Sequence, residues 1–162
     1  MEDGGGFAKI GRSAVPRIRL CRSAALTADS SGTLKSLPWD TTSALLAKIG
    51  YTHSTTSNAD QITADMAGVH RLHAVVRFDE KLLLTGVRLE IQVDTIPVAR
   101  AALPASGTAF VVSLETTMEA SAEVDLVAGA VIRVQFAGIG TANVPLIVGD
   151  SATYFTAWMM IG

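Results

Sequence analysis

The segment Gly86–Asp94 restricts the fold of this chain more than any other feature. Apolar and polar side chains alternate along it without exception. The apolar positions are Val87, Leu89, Ile91 and Val93, and the polar positions are Arg88, Glu90, Gln92 and Asp94. Successive side chains of a β-strand point to opposite faces, so this period of two predicts a strand with one buried face and one wet face.

The same alternation recurs along the chain and predicts an all-β protein. It is clear in Val69–Asp79, Thr108–Thr116, Glu119–Val127 and Ala130–Ala137. Turn signals separate these runs roughly every ten residues, a spacing that favours a sandwich or barrel over βαβ units. We expect an antiparallel jelly-roll sandwich of about eight to ten strands over residues 17–162.

Residues 1–16 predict an extended N-terminal arm. The glycines at positions 4–6 do not hold regular structure cheaply, and Pro16 has no amide for a strand ladder. Residues 1–22 contain five Lys or Arg against two Asp or Glu, although the whole chain has a net charge of −2. We expect the arm either to dock onto an acidic surface or to remain a solvated tail. The residues predicted to make that contact are Phe7, Lys9, Ile10, Arg12, Val15 and Arg17.

Composition sets limits on partners and location. The chain has 162 residues, of which 49% are hydrophobic and 17% charged, which excludes disorder and favours a surface partly covered by a partner. The small net charge predicts no nucleic-acid partner. No apolar run approaches the ~20 residues that span a bilayer, and the N-terminus has no signal-peptide core, so we expect no membrane partner and a protein made in a cytoplasm. Cys21 is the one cysteine, and we expect it to be a buried free thiol.

The last predicted strand, Tyr154–Ile161, has apolar or small residues on both faces. A strand buried on both faces lies either in the core or at a subunit interface, and the sequence leaves these two alternatives equally open. The residues predicted for a trimer interface are Phe155, Trp158, Met159 and Ile161. For both tryptophans, Trp39 and Trp158, a core or interface position is favoured over a sugar-binding platform.

No catalytic or metal-binding motif is present, so we expect no enzyme activity, no catalytic residue, no metal and no cofactor. His70 and His73 are three apart on a strand and therefore point to opposite faces. A row of carboxylates could bind calcium, although a solvated face is favoured; it consists of Glu119, Glu123 and Asp125. If the strands around Arg71 and Glu90 are neighbours, their polar faces predict cross-strand ion pairs, either solvated or in a trimer contact.

Several of these runs, in this order, resemble one family. The segment Ile62–Phe78 resembles the signature of the globular head of complement subcomponent q and its tumour-necrosis-factor-like relatives. Val124–Ile132 and Tyr154–Ile161 resemble later strands of that family, and the resemblance covers residues 17–162. His70 and Ala130 depart from the family pattern, so no ligand or calcium site is transferred.

The resemblance implies a ten-stranded jelly roll that assembles as a homotrimer. Compact members that open with a run like Arg22–Leu26 followed by Trp39–Asp40 resemble virion proteins of tailed bacteriophages. We therefore expect a trimeric capsid decoration (cement) or head-fibre protein that binds the major capsid protein or another virion protein. Its location would be the virion, assembled in the host cytoplasm. The alternative is the receptor- or glycan-binding head of a tail fibre, which the short arm without a stalk makes less favoured.

Overall fold

A computed structural model describes residues 15–28, 30–42, 48–78, 83–103, 110–111, 116–140, 144–149 and 151–160. Within these ranges the chain forms fourteen strands and no helix, so the prediction of an all-β protein is confirmed. The strands are β1 (Arg17–Cys21), β2 (Leu26–Ala28), β3 (Lys35–Ser36), β4 (Thr41–Thr42), β5 (Tyr51–His53), β6 (Ile62–Ala64), β7 (Gly68–Phe78), β8 (Leu83–Val93), β9 (Ile96–Leu103), β10 (Phe110–Val111), β11 (Thr116–Leu126), β12 (Val131–Gly140), β13 (Val144–Leu146) and β14 (Tyr154–Met159). No helix of the length and apolarity needed to cross a membrane occurs among these residues.

The strands form two antiparallel seven-stranded sheets. Sheet 1 contains β1, β2, β4, β7, β11, β13 and β14, and sheet 2 contains the other seven strands. In sheet 1, β7 pairs with β11 on one side and with β14 and β13 on the other, while β14 also pairs with β1. In sheet 2, β8 lies between β12 and β9. This arrangement is the predicted jelly-roll sandwich.

The core lies between the two sheets and is built by the alternation read from the sequence. Val87, Leu89 and Ile91 of β8 are fully buried. The rings of Phe78 on β7 and Phe136 on β12 join the sheets, with their centroids 5.8 Å apart. Each such apolar side chain stabilises the fold by about 1.5–3 kcal/mol through burial.

Strand β1 ends at Cys21, and the Asp40 carboxylate binds the backbone that follows it. The amides of Ser23 and Ala24 each donate to Asp40 at 2.7 Å and so do not join a strand ladder. Burial raises the pKa of Asp40, but these bonds and those from the Ser23 and Thr41 hydroxyls outweigh it and hold the pKa below its ordinary value. The described part of the chain contains more and shorter strands than the sequence predicts.

The predicted pairing between the strands around Arg71 and Glu90 is wrong. The strands β7 and β8 belong to different sheets, because the chain crosses the sandwich between them. Arg71 instead lies 3.7 Å from Glu123, and His73 lies 3.6 Å from Glu119, both on β11. The carboxylate row of β11 therefore faces basic side chains of β7.

A tight turn at Asp94–Thr95 connects β8 to β9. Both residues have positive φ angles, 47° and 75°, as in the two-residue turns that suit twisted hairpins. The Asp94 Oδ1 atom also accepts the backbone N–H of Val131 at 2.8 Å. This bond holds the β8–β9 turn against the beginning of β12.

Candidate assembly interface

The strand β14 presents different chemistry on its two faces. Phe155 is fully buried beside Trp39, with ring centroids 6.3 Å apart, whereas Trp158 is 36% exposed. The prediction of Phe155 as a trimer-interface residue is therefore wrong, because its side chain points into the core of its own subunit. Met159 is half-buried and packs over Gly68, where a Cβ atom would lie 2.6 Å from the Met159 Cε atom. Ile161 lies outside the described residues.

The outward side chains of β14 lie in the middle of a continuous surface, which we call the outer face of sheet 1. Strand register places neighbouring side chains of β1, β7 and β11 beside them. Its members are Arg17, Arg19, Val69, Arg71, His73, Glu119, Glu123, Tyr154, Thr156 and Trp158.

Trp158 belongs to a row that crosses four strands of this face. Arg17, Trp158, Arg71 and Glu123 are successive register partners on β1, β14, β7 and β11. The Arg71 guanidinium lies 5.7 Å from the centroid of the Trp158 ring and 3.7 Å from the Glu123 carboxylate. An arginine between a ring and a carboxylate is attracted by both, which favours one orientation of the indole.

Tyr154 is the second aromatic residue of the face and is half-buried. The Arg19 guanidinium lies 4.1 Å above the centre of its ring, and the His73 ring meets it edge-on at 6.0 Å. The His73 Nε2 atom is 3.6 Å from Glu119, which links Tyr154 to β11. Thr156, between the two aromatic residues, is only 7% exposed. The centre of the face is therefore closely packed, whereas the side chains of Arg71, Glu119 and Glu123 are about half exposed.

Charge is separated across this face. The β1 side carries Arg17 and Arg19, the β11 side carries Glu119 and Glu123, and the aromatic residues of β14 lie between them. The basic side of the face is thus complementary in charge to the acidic side. The basic side of one molecule can therefore contact the acidic side of a second molecule that has the same face. A groove of about 330 Å³ continues the face beside Trp158, lined by Val15, Arg17, Ile18, Thr156, Ala157 and Trp158.

The buried titratable groups have structural roles. The Met66 carbonyl can only accept, so His70 Nε2 donates to it at 3.1 Å and Nδ1 accepts from the Tyr51 hydroxyl at 2.5 Å. Burial lowers the pKa of His70 and keeps it neutral in this arrangement. The Cys21 thiol is buried and lies 3.6 Å from the Thr41 carbonyl oxygen. Within the described ranges, no three His, Cys, Asp or Glu side chains are placed to hold a metal ion.

The structure brings together only some of the predicted contact residues. Val15 and Arg17 lie beside Trp158 in the groove, while four predicted arm residues fall outside the described part of the chain: Phe7, Lys9, Ile10 and Arg12. The boundary between arm and domain stays a prediction. Sequence reasoning did not single out Arg19 or Tyr154 as members of one surface. Their polarity was visible, but the pairing of β1 with β14 depends on residues more than 130 positions apart.

The overall architecture can be compared with known proteins. No protein-family model and no curated protein matches the chain. Among solved structures it is similar to Eiger TNF from S. frugiperda, with a TM-score of 0.65 and 9% identity over 91% of this chain and 93% of the other. It is also similar to murine APRIL in a crystal structure at pH 8.0, with a TM-score of 0.65 and 14% identity over 89% and 98% of the two chains. At these identities the likeness establishes the fold alone, and it confirms a tumour-necrosis-factor-like jelly roll.

Proposed function

We propose that this chain is a structural virion protein that assembles as a homotrimer through the outer face of sheet 1 and decorates the shell of a tailed bacteriophage. The observation that carries the assembly part is the charge separation across that face. Basic residues of β1 and acidic residues of β11 flank the exposed Trp158 and the half-buried Tyr154.

A surface with two complementary halves favours a closed ring. If the β1 side of one subunit contacts the β11 side of the next, each subunit uses both halves once, which is a heterologous contact. Such contacts close into a cyclic oligomer when the rotation per subunit is an integral fraction of a turn. A homotrimer is the cyclic assembly that the family resemblance implies, and Trp158, with neighbouring aromatic and arginine groups, has the chemistry of an interface anchor.

The virion part of the proposal rests on the resemblance and on the start of the chain. Val15 and Arg17 are exposed at the edge of the candidate interface, where the predicted arm joins the predicted domain. The apolar and basic side chains of that arm would contact the major capsid protein or another virion protein. Apolar anchors would supply affinity, and the basic residues would supply orientation and a salt-dependent on-rate. The proposal requires no catalytic residue, cofactor, nucleic acid or membrane.

Native mass spectrometry of the purified protein tests assembly directly. We expect a trimer for the original chain and a monomer for Trp158→Glu, since a carboxylate would replace the exposed indole. Arg88→Glu is the matched control, because Arg88 is exposed on β8 in the interior of sheet 2, on the opposite side of the sandwich from this face, and its variant should remain trimeric. A monomeric original protein at micromolar concentration would contradict the proposal.

Co-sedimentation tests the virion assignment separately. The purified trimer is mixed with particles from the source of the chain that have been stripped of this protein. We expect it to pellet with the particles, and a variant lacking residues 1–14 to stay trimeric but pellet less. A trimer that never associates with particles would contradict the virion role while leaving the assembly intact.

A receptor- or glycan-binding head is the second candidate, and the exposed indole of Trp158 beside Arg71 favours it. Aromatic rings with adjacent polar groups also form sugar platforms. The two functions make opposite predictions for Trp158→Ala. Loss of the trimer supports an interface, whereas an intact trimer that no longer binds a glycan array supports recognition.

A further inference from the structure

The exposed large apolar side chains in the described part of the chain all lie at one end of the sandwich. They are Val15, Met66, Val69, Ile96, Val127, Trp158 and Met160, between 36% and 68% exposed. Backbone bonds place Met159 beside Pro16 and Met160 beside Val69. Trp158 already belongs to the proposed trimer interface. Three others lie outside that face and have no such explanation: Met66 and Val127, which lie in turns, and Ile96, which begins β9 directly after a turn.

Backbone hydrogen bonds hold these three turns together. Gly129 donates to the Ala64 carbonyl at 2.8 Å and Ala64 to the Ala130 carbonyl at 3.0 Å, which joins the turn before β7 to the turn before β12. Asp94 donates to the Val131 carbonyl at 2.9 Å, which joins the β8–β9 turn to the same segment. The turns are therefore neighbours, and we call their shared surface the turn end, defined by Met66, Ile96 and Val127.

Local structure does not explain why apolar side chains are exposed at these positions. The turns that contain Met66 and Val127 favour Gly, Asn, Asp, Ser and Pro, and a β-branched Ile96 suits the start of β9 without having to be exposed. Nevertheless Ile96 and Val127 are 67% and 68% exposed, the largest exposures among these apolar residues. Grouped exposed apolar side chains at one end of a domain are typical of an interaction surface.

Charge limits what can cover the turn end. Asp65 directly precedes Met66, and Asp94 and Asp125 each lie two residues before Ile96 and Val127. Each of these apolar residues thus has a carboxylate within two residues in the sequence. An anionic lipid surface would be repelled, and a second copy apposed end to end would place carboxylates against carboxylates.

We propose that the turn end docks onto a protein surface that presents apolar sockets bordered by Lys or Arg side chains. The proposal rests on the proposed trimer, in which the threefold axis would present three copies of the turn end side by side. Three weak contacts to one surface then reinforce one another through effective concentration.

Methionine oxidation reports directly on whether the turn end is covered. Met66 is 46% exposed, whereas Met118 is 4% exposed and serves as the buried reference within the same chain. Brief peroxide treatment of the purified protein and of a gentle extract from the natural source, followed by peptide mass spectrometry, compares the two states. We expect Met66 to oxidise several times faster in the purified protein than in the extract. High salt should remove the protection, because it screens attraction between the carboxylates and a basic border.

Variants introduced at the natural source make the test specific. Ile96→Ser with Val127→Ser should abolish the protection of Met66 in the extract without changing the trimer mass. Ala25→Ser with Ala102→Ser is the matched control at two exposed positions outside the turn end and should keep the protection.

Three outcomes would overturn the docking proposal. The first is equal oxidation of Met66 in the purified protein and in the extract. The second is protection of Met66 already in the purified protein, which would indicate that a second copy covers it. The third is protection of the purified protein by phosphatidylserine vesicles. A monomeric mass with a protected Met66 would instead refute the trimer alone.

Discussion

The substitution Phe155→Ala tests most directly whether one face of β14 lies in the core and the other at the interface. The Phe155 side chain is fully buried, and replacing a buried Phe by Ala costs about 3–5 kcal/mol. The cavity would adjoin Trp39, whose Nε1 atom is a buried donor with no partner among the described residues. Water entering the cavity could accept that hydrogen bond and recover part of the loss, so we expect about 3 kcal/mol. In a domain of this size, that loss lowers Tm by roughly 6–12 °C.

Urea unfolding at fixed protein concentration measures this loss, and Trp158→Ala supplies the contrast from the opposite face of the same strand. We expect Trp158→Ala to remove the trimer in native mass spectrometry while lowering the stability of the isolated subunit by only about 1 kcal/mol, since its ring is partly exposed. The assignment of faces is refuted if Phe155→Ala costs less than about 1 kcal/mol or if it dissociates the trimer without destabilising the subunit.

Three further predictions concern stability. Burial lowers the pKa of His53 and of His70, so the unfolded chain takes up more protons than the folded chain as the pH falls. The contribution of these two histidines to the free energy of unfolding is therefore complete above about pH 6.5 and decreases below it. Urea titrations at pH 7.5 and 5.5 should show the lower stability at pH 5.5. Thr95→Gly should raise the free energy of unfolding by about 0.5–1 kcal/mol, because a β-branched residue is strained at φ 75°, and a thermal melt with no increase would contradict this. Asp40→Ala should cost about 2 kcal/mol by leaving the amides of Ser23 and Ala24 without their acceptor, whereas an unchanged urea midpoint would show that water replaces the carboxylate.

The sequence predicts what local periodicity determines. The alternation in β8 correctly places Leu89 in the core and Arg88 on the surface. It misplaces Glu90 as a solvated residue, because Arg100 on β9 covers it with a 2.7 Å ion pair and leaves it 5% exposed. That pairing depends on which strand comes next to β8, and the pattern within β8 carries no information about it.

The two faces of β14 show a second limit. Phe155 and Trp158 are both large aromatic residues in an apolar run, so periodicity separates them into two faces without saying which face is inside. The register with β1 and β7 decides it by placing Trp158 between Arg17 and Arg71. The sequence therefore predicts that β14 is a strand, but it does not predict which face of β14 is exposed.

The position of β14 has a consequence for how the protein is made. This strand is the last of the described strands, yet it lies inside sheet 1 between β7 and β1. During synthesis, the edges of β1 and β7 that pair with β14 stay unpaired until residues 154–159 leave the ribosome. An unpaired edge is a template for pairing with another chain. Crowded nascent chains on one messenger would thus be prone to exchanging β14, and slow synthesis before residue 154 would lengthen the period in which they do so.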